Sequence, residues 1–596
     1  MKKILLSFLL GTGLILCLPV FAADVYVSET GSDATGLGSE ASPFATVTQA
    51  LGAITGGDTI YCQGNITDSI TLTAAHSGTA GSYTTITSWP GYDAVLNGNG
   101  ADTVFFIDND TQYIKIDDLA LTNAVTNGIQ TNGIADNIII SNNLIYGLTG
   151  GSAARALVLS VTNSQITDND LNGGATMGDG LYLMSCDNLT IAKNKIHDYL
   201  SNGMFFDVVS QNSTVVNNWI YNIGGGMSAY SAGVFVGDSH DIQILNNSFY
   251  NIYDLDYPAS GISVATSSYD CYNITVKNNI IVVANYGFSS DYNYTGLEVD
   301  HNLYNQTNLI GSVAGAEFST LAEWQAGTIY DDNSVSGDAN FQMLVAGNEN
   351  LHIWQTSAAI DAGENLAEVI TDFDGEDRPY NITDIGADEA PLVATPDSLS
   401  SNPKVRETTL SWLTDSNYPV TGYNIAYNVN EDVFNGTFIT GNQNAVVTIT
   451  GLKPAKKYYA KVQAYYETAY DTYLSDYSDT LTFGTKPARV EKTKNLITVH
   501  NYSQWRWKKQ SRVFNYVIKL MDENGEVIQT IQVKKKKKFV NNANNKFVKY
   551  SISGLESGKT YMIKIRAKKK VNGEWLKGKW SITKTFSTMA DSGPEL

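Results

Sequence analysis

Three groups of residues carry side chains that could do chemistry together: Asp168-x-Asp170, Lys193-x-Lys195 with His197-Asp198 behind it, and the scattered set Arg155, Asp179 and Asp207. Abstraction of a proton beside a carboxylate needs a Lys or Arg base, a cation such as Ca2+ to neutralise the carboxylate, and acidic ligands for that ion. Hydrolysis of a glycosidic bond needs paired carboxylates instead. For the first chemistry Lys193 or Lys195 is the candidate base and Arg155 the substrate clamp, with Asp168, Asp170, Asp179 and Asp207 as candidate Ca2+ ligands. Cations are scarce enough to confine such a site. From Asp24 to Glu389 there are 43 acidic residues and 6 basic ones: Lys115, Arg155, Lys193, Lys195, Lys277 and Arg378. The same residues also suit a ladder of surface ion pairs, each worth little.

What places these groups together is a repeat. The pattern apolar-x-x-Asn-x-apolar recurs around Asn143, Asn169, Asn194, Asn218, Asn247, Asn279 and Asn302, at spacings of 26, 25, 24, 29, 32 and 23 residues. That period is too short for a domain and suits one solenoid coil. A second short strand lies between successive asparagines and usually opens with glycine, as in Gly180-Leu181-Tyr182-Leu183, Gly203-Met204-Phe205-Phe206 and Gly233-Val234-Phe235-Val236. Strands of four to six residues with period-2 alternation predict an all-β parallel β-helix. Stacking coils about 4.8 Å apart buries a continuous apolar core, and the asparagines fall in register, where their amides can form a ladder and tolerate left-handed corners. In this register Asp168 lies beside Lys193 and Asp170 beside Lys195.

The position three places after each repeat asparagine reads Tyr146, Asn172, His197, Tyr221 and Tyr250, all pointing outward by alternation. Longer loops add Tyr253, Asp254, Asp256 and Tyr257, then Asp291, Tyr292 and Tyr294. Stacked aromatics beside carboxylates suit sugar rings, which offer an apolar face and hydroxyls together, although tyrosine is also simply a good strand residue. Cys62, Cys186 and Cys271 fit buried thiols; the last two are three coils, about 14 Å, apart and cannot form a disulfide.

Ser42-Pro43 followed by Phe44, Val47, Leu51 and Ile54 predicts a capped helix over the N-terminal opening of the stack. With Tyr26-Val27-Ser28, Gly57-Asp58-Thr59-Ile60-Tyr61 and Trp89-Pro90-Gly91, this stretch resembles secreted right-handed β-helix proteins of the polysaccharide-lyase type. Ala359-Ile360-Asp361-Ala362-Gly363, Thr371-Asp372-Phe373-Asp374-Gly375 and Asp384-Ile385-Gly386-Ala387 are similar to the closing segment of bacterial surface β-helix proteins. The resemblance spans 24–389 and implies a fold more than an activity, because the signatures that surround lyase residues are missing. The Asp372–Gly375 loop could hold calcium, but nearby Arg378 suits a structural cap better.

Two later segments align over their second halves at a constant offset of 103 residues: Gly451-Leu452 with Tyr458, Tyr477-Ser478 and Phe483, then Gly554-Leu555 with Tyr561, Trp580-Ser581 and Phe586. A Leu six residues before a corner Tyr resembles fibronectin type III domains. The expected order is a signal peptide (1–22), a right-handed β-helix with its capping helix (23–390), a fibronectin type III domain (391–486), a second, basic one (487–588) and a tail (589–596).

The overall charge of −21 conceals a division, since 487–596 holds 24 basic residues and 8 acidic ones. The lysines cluster at Lys508-Lys509, Lys534–Lys538 and Lys568–Lys570. They suit protected edge strands, a contact with an anionic cell-surface polymer, or docking on the acidic solenoid. The composition excludes whole-chain disorder and a typical nucleic-acid-binding chain. Lys2-Lys3 before an apolar run ending at Val20-Phe21-Ala22 reads as a bacterial Sec-type secretory signal, and no later stretch reaches the length of a membrane span. The reading that joins these features is a secreted or cell-surface protein that binds extracellular polysaccharide, its processing left open. The alternatives are a lyase cleaving uronic-acid-containing glycans by β-elimination, less readily a glycoside hydrolase, and a non-catalytic adhesin or stalk.

Overall fold

Alternation along each short strand sets one side chain into the core and the next outside, and the chain repeats this three times per coil. A computed structural model of the protein describes residues 24–225, 231–254, 258–266, 271–378, 382–391, 393–416, 418–434, 436–467, 472–534 and 546–591. The signal segment, Tyr257 and Lys535–Lys538 lie outside the described residues. The chain divides into two compact units, one up to Ala390 and one from Pro391.

In the first unit three parallel sheets wind around one core. The coil of Asn194 shows the plan. Asp187–Ala192 pairs with Val161–Thr167 and Gln211–Val216; Lys195–Tyr199 pairs with Asp170–Asn172 and Trp219–Ile223; Met204–Asp207 pairs with Asp179–Met184 and Ala232–Gly237. Stacks such as Ile166, Ile191, Val215, Ile244 and Val276 run down the buried interior. Glycine opens the third strand because the coils approach closely there. A Cβ on Gly203 would stand 2.6 Å from the carbonyl oxygen of Gly233, and one on Gly233 2.6 Å from that of Gly261.

The asparagine ladder runs unbroken from Asn143 to Asn302. The amide of Asn194 illustrates it: Oδ1 accepts the backbone N–H of Asn169 at 3.0 Å and its Nδ2 at 2.9 Å, while Nδ2 donates to Ile166 O at 2.9 Å and Asn218 Oδ1 at 3.0 Å. The left-handed corner falls one residue earlier than expected. Asn142, Asp168, Lys193, Asn217, Asn246, Asn278 and His301 have φ of 51–60°, and the ladder asparagines do not share it. One residue turns the chain and its neighbour satisfies the buried backbone, so corner strain and amide pairing are kept apart.

The N-terminal helix is shorter than the sequence suggests. It spans Val47–Leu51 and is capped by Thr46, whose hydroxyl accepts Gln49 N–H, whereas Ser42 lies in a turn bridged to Ser39. At the other end the helix Leu321–Gly327 seats buried Trp324 against Phe288 and donates its indole N–H to Asp331 at 2.7 Å; Asp331 in turn accepts the last ladder amide, Asn302 Nδ2. Cys62, Cys186 and Cys271 are buried free thiols.

The second unit holds two β-sandwiches of the same topology. Each pairs a three-stranded sheet (Asp397–Pro403, Thr408–Leu413, Val446–Ile449; then Lys494–Val499, Tyr502–Lys508, Phe547–Ser553) with a five-stranded one. The corner tyrosines match: Tyr458 OH accepts Lys453 N–H at 2.8 Å and Tyr561 OH accepts Glu556 N–H at 2.9 Å.

Candidate functional site

The residues expected to form one cluster fall on two faces. Asp170, Lys195 and His197 project from the second sheet, with Asp168 and Lys193 at the corner before it, whereas Arg155, Asp179 and Asp207 project from the third. The turn at 173–178 separates them, so a shared coil is not a shared face. On the third sheet Arg155 Nε meets Asp179 at 2.9 Å and its guanidinium lies 4.8 Å over the Tyr182 ring. Asp179 also accepts both amide groups of Asn202, and Asp207 accepts Tyr182 OH at 2.6 Å. The four candidate calcium aspartates therefore do not converge.

On the second sheet the outward column forms in register, Asn172 to His197 to Tyr221 to Tyr250, but its centre is covered. His197 and Tyr221 keep only 8% and 5% exposure, while Tyr146 and Tyr253 are exposed and Tyr250 is half-buried. His197 bonds Asp170 at 2.9 Å and Asp198 at 2.8 Å and stacks on Tyr221 at 4.7 Å. Burial disfavours its charged form, but the two carboxylates outweigh that and raise its pKa to about 9.

The cover is the closing segment. Asn222 donates to Glu349 at 2.9 Å, Phe373 stacks on Trp219 at 4.2 Å, and Asn217 Nδ2 donates to Thr371 O at 2.7 Å. Lys195 Nζ lies 5.2 Å over the Trp219 ring, and Gly375 packs against Lys193 Nζ. Arg378, its side chain fully buried, pairs with Glu389 at 2.9 Å and donates to the carbonyls of Asp384 and Gly386; the Asp372–Gly375 loop joins the same clasp through Phe373 N–H to Ala387 O and Glu389 N–H to Asp372.

Among the described residues one trio, His352, Asp374 and Asp388, holds ligand atoms within 4.8 Å of one another. Burial raises the Asp388 carboxyl to about 7, with His352 opposing and Asp372 adding to the shift. An imidazole with two carboxylates suits zinc or manganese better than calcium, which favours oxygen alone.

Among the described residues, aromatic side chains are also reachable on and beside the third sheet. On the third sheet Tyr182, Phe205 and Phe235 occupy one register column, half-buried, with ring centroids 5.3 and 4.9 Å apart. Two coils further on, at the ends of the strands Ser260–Ala265 and Tyr286–Ser290, a cavity of about 570 Å³ is lined by Tyr272, Tyr292, Tyr294, Thr266 and Asn293. Tyr272 is 37% exposed and its ring lies on His240 at 4.3 Å, within 8° of parallel; Tyr292 is 58% exposed. Tyr294 OH donates a hydrogen bond to Asp291, and burial together with that bond raises its pKa. Flat aromatic walls with amide and hydroxyl groups at the rim can hold a sugar by its apolar face and its hydroxyls. The sequence pointed to Tyr292 and Tyr294. It missed Tyr272, and missed the column, although the residue two places after each opening glycine carried that signal.

Two family models agree with this architecture. Residues 82–269 match the family model of the right handed beta helix region, and residues 394–477 that of the fibronectin type III domain. Among solved structures, a two-domain fibronectin type III segment of chicken tenascin is 16% identical over 33% of this chain and 100% of its own, with a TM-score of 0.23. Pectate lyase Pel9A is 14% identical over 62% and 97%, with a TM-score of 0.40; a rhamnogalacturonan lyase is 14% identical over 54% and 91%, with a TM-score of 0.35. No curated protein sequence matches the chain. The chain is a right-handed parallel β-helix protein with C-terminal fibronectin type III-like domains.

Proposed function

We propose that the protein is exported and binds complex carbohydrate along the third sheet of its solenoid and the corner that follows it, with the Tyr272–Tyr292–Tyr294 cavity at that corner as the principal subsite. The cavity carries this reading: exposed aromatic faces stand beside hydroxyl and amide groups on a rigid stack of coils. The column Tyr182, Phe205 and Phe235 extends it along the stack, and five coils from Tyr182 to Ser289 give a strip of about 20 Å. Export is supported by the N-terminal Lys2-Lys3 and apolar run, and an anionic polymer as a further partner by the basic final module. Binding is favoured over β-elimination because the candidate groups do not converge: Lys193 and Lys195 are half-buried beside the closing segment and Trp219, while Arg155, Asp179 and Asp207 stand on another face.

A glycan array followed by calorimetry on the best ligand tests the proposal. Tyr272→Ala and Tyr292→Ala should each weaken binding about tenfold with unchanged thermal stability. Absence of any glycan ligand, or wild-type affinity in both variants, overturns it. Formation of unsaturated product from alginate, pectate or chondroitin that is lost in Lys193→Ala/Lys195→Ala would establish the lyase instead.

A further inference from the structure

A share of the positive charge of the second unit lines the junction of its two sandwiches, and that junction is packed. Ala455 of the first sandwich joins the apolar core of the second. A Cβ on Gly484 would lie 2.7 Å from Val571 and 2.9 Å from Leu576. Gly578 backs onto the carbonyls of Pro487 and Ala488, and Gln510 Nε2 donates to Ala488 O at 2.8 Å and Arg489 O at 3.0 Å. The walls around the connector 486–491 are thereby held in place.

Into this junction opens a cavity of about 470 Å³. Five of its eight lining residues are cations, Lys404, Arg406, Lys486, Lys577 and Lys579, and its one carboxylate, Glu407, is engaged by Lys404 at 2.6 Å. A neighbouring cavity of about 260 Å³ on the same connector is lined by Arg489, Lys508, Lys509 and Arg512, with Glu491 at 4.0 Å from Lys508. The cations of the larger cavity come from three segments far apart in sequence. Lysines that merely guard edge strands have no reason to meet in one concavity. Like charges held together there repel one another and focus a positive potential, which an anion relieves.

The lining also selects among anions. Neither cavity carries an aromatic residue, so neither offers the stacking platform by which single-stranded nucleic acids are held. Point charges on lysine stems suit carboxylate, sulfate or phosphodiester groups spaced along a sugar chain. We propose that the inter-sandwich junction seats a segment of a polyanionic glycan. This rests on the reading of an anionic polymer as partner of the basic module and is independent of the tyrosine cavity in the solenoid.

The test uses the full chain with heparin, polygalacturonate and poly(glycerol phosphate) as sulfate, carboxylate and phosphodiester probes, beside single-stranded and duplex DNA, at about 50 and about 200 mM salt. At least one glycan should bind in a salt-sensitive manner, and the probe preferred identifies the anionic group. Lys577→Gln/Lys579→Gln should weaken that binding about tenfold and flatten its salt dependence, whereas Lys568→Gln/Lys569→Gln/Lys570→Gln on the adjacent strand should cost no more than about twofold. Lys404→Gln/Arg406→Gln repeats the test from the opposite wall should the first variant not fold. Loss in the strand variant with wild-type binding in the junction variants overturns the seat and leaves the anionic partner standing. Failure of every polyanionic glycan to bind the intact chain overturns both, and tighter junction-dependent binding of DNA overturns the ligand class.

Discussion

Replacing Asn194 by alanine removes the amide that joins three coils. In the native chain Asn194 Oδ1 accepts the backbone N–H of Asn169, and its Nδ2 donates to the carbonyl of Ile166, at 3.0 and 2.9 Å, where exposure is 2% or less. Alanine leaves that donor and that acceptor without partners in a place water does not reach. Each orphan costs about 1–3 kcal/mol, so the change should cost about 3–5 kcal/mol. A solenoid's stability is a sum of coil and neighbour contributions, and the loss should stay within the coils of Asn169, Asn194 and Asn218. Hydrogen exchange read by mass spectrometry is the assay: protection at Asn169 should fall by about 10²- to 10⁴-fold, while the distant strand Thr84–Ser88 keeps its wild-type rate. Asn194→Asp sharpens the test. It keeps both acceptor roles but sets a carboxylate against Asn218 Oδ1, native partner at 3.0 Å, so its cost should be larger at neutral pH than at pH about 4. Unchanged exchange at Asn169, or equal loss in the distant strand, would refute the ladder as a local stabiliser.

Two further outcomes follow from the same geometry. His197 has a folded pKa raised from 6.5 to about 9, so the stability it contributes is full below about 6.5 and lost as pH rises through about 9; His197→Gln should narrow the gap to wild type over that window, by about 2–3 kcal/mol after allowing for the exposed side of Asp170, and a pH-independent gap in denaturant midpoints would contradict it. Gly233→Ala should cost about 3 kcal/mol or more in thermal unfolding because its Cβ would meet Gly261 O at 2.6 Å, whereas Gly441→Ala, with nothing within 4 Å, should change stability by no more than about 0.5 kcal/mol.

The solenoid was legible because its chemistry is local and periodic. Each asparagine needs the same two neighbours, and each third-strand glycine meets the same carbonyl, so spacing alone revealed both. The site was less legible because alternation separates inside from outside and says nothing about what lies against the outside. His197 and Tyr221 point outward as expected, yet both are buried, and beside them Glu349 and Phe373, far along the chain, hold Asn222 and Trp219. Trp219 was the available hint: a large apolar residue in register with Lys195 on an outward face requires a cover. Asp168 and Asp170 parted from Asp179 and Asp207 because coil alignment fixes height along the stack and leaves the side undetermined.

The clasp also counts. Asn217 donates to Thr371 O, Asn246 donates to the carbonyls of Asp384 and Gly386, and the Asn278 side-chain amide donates to Glu364 O and accepts Glu364 N–H. Three successive coils are thus gauged by one continuous strap, and an extra coil among them would shift its anchor points by about 4.8 Å, beyond the reach of any of these bonds. Duplication or loss of coils is therefore tolerated on the N-terminal side of Lys193 and penalised beyond it, so that relatives of different length should differ upstream while the stretch from Asn217 to Asn278 keeps its coil number.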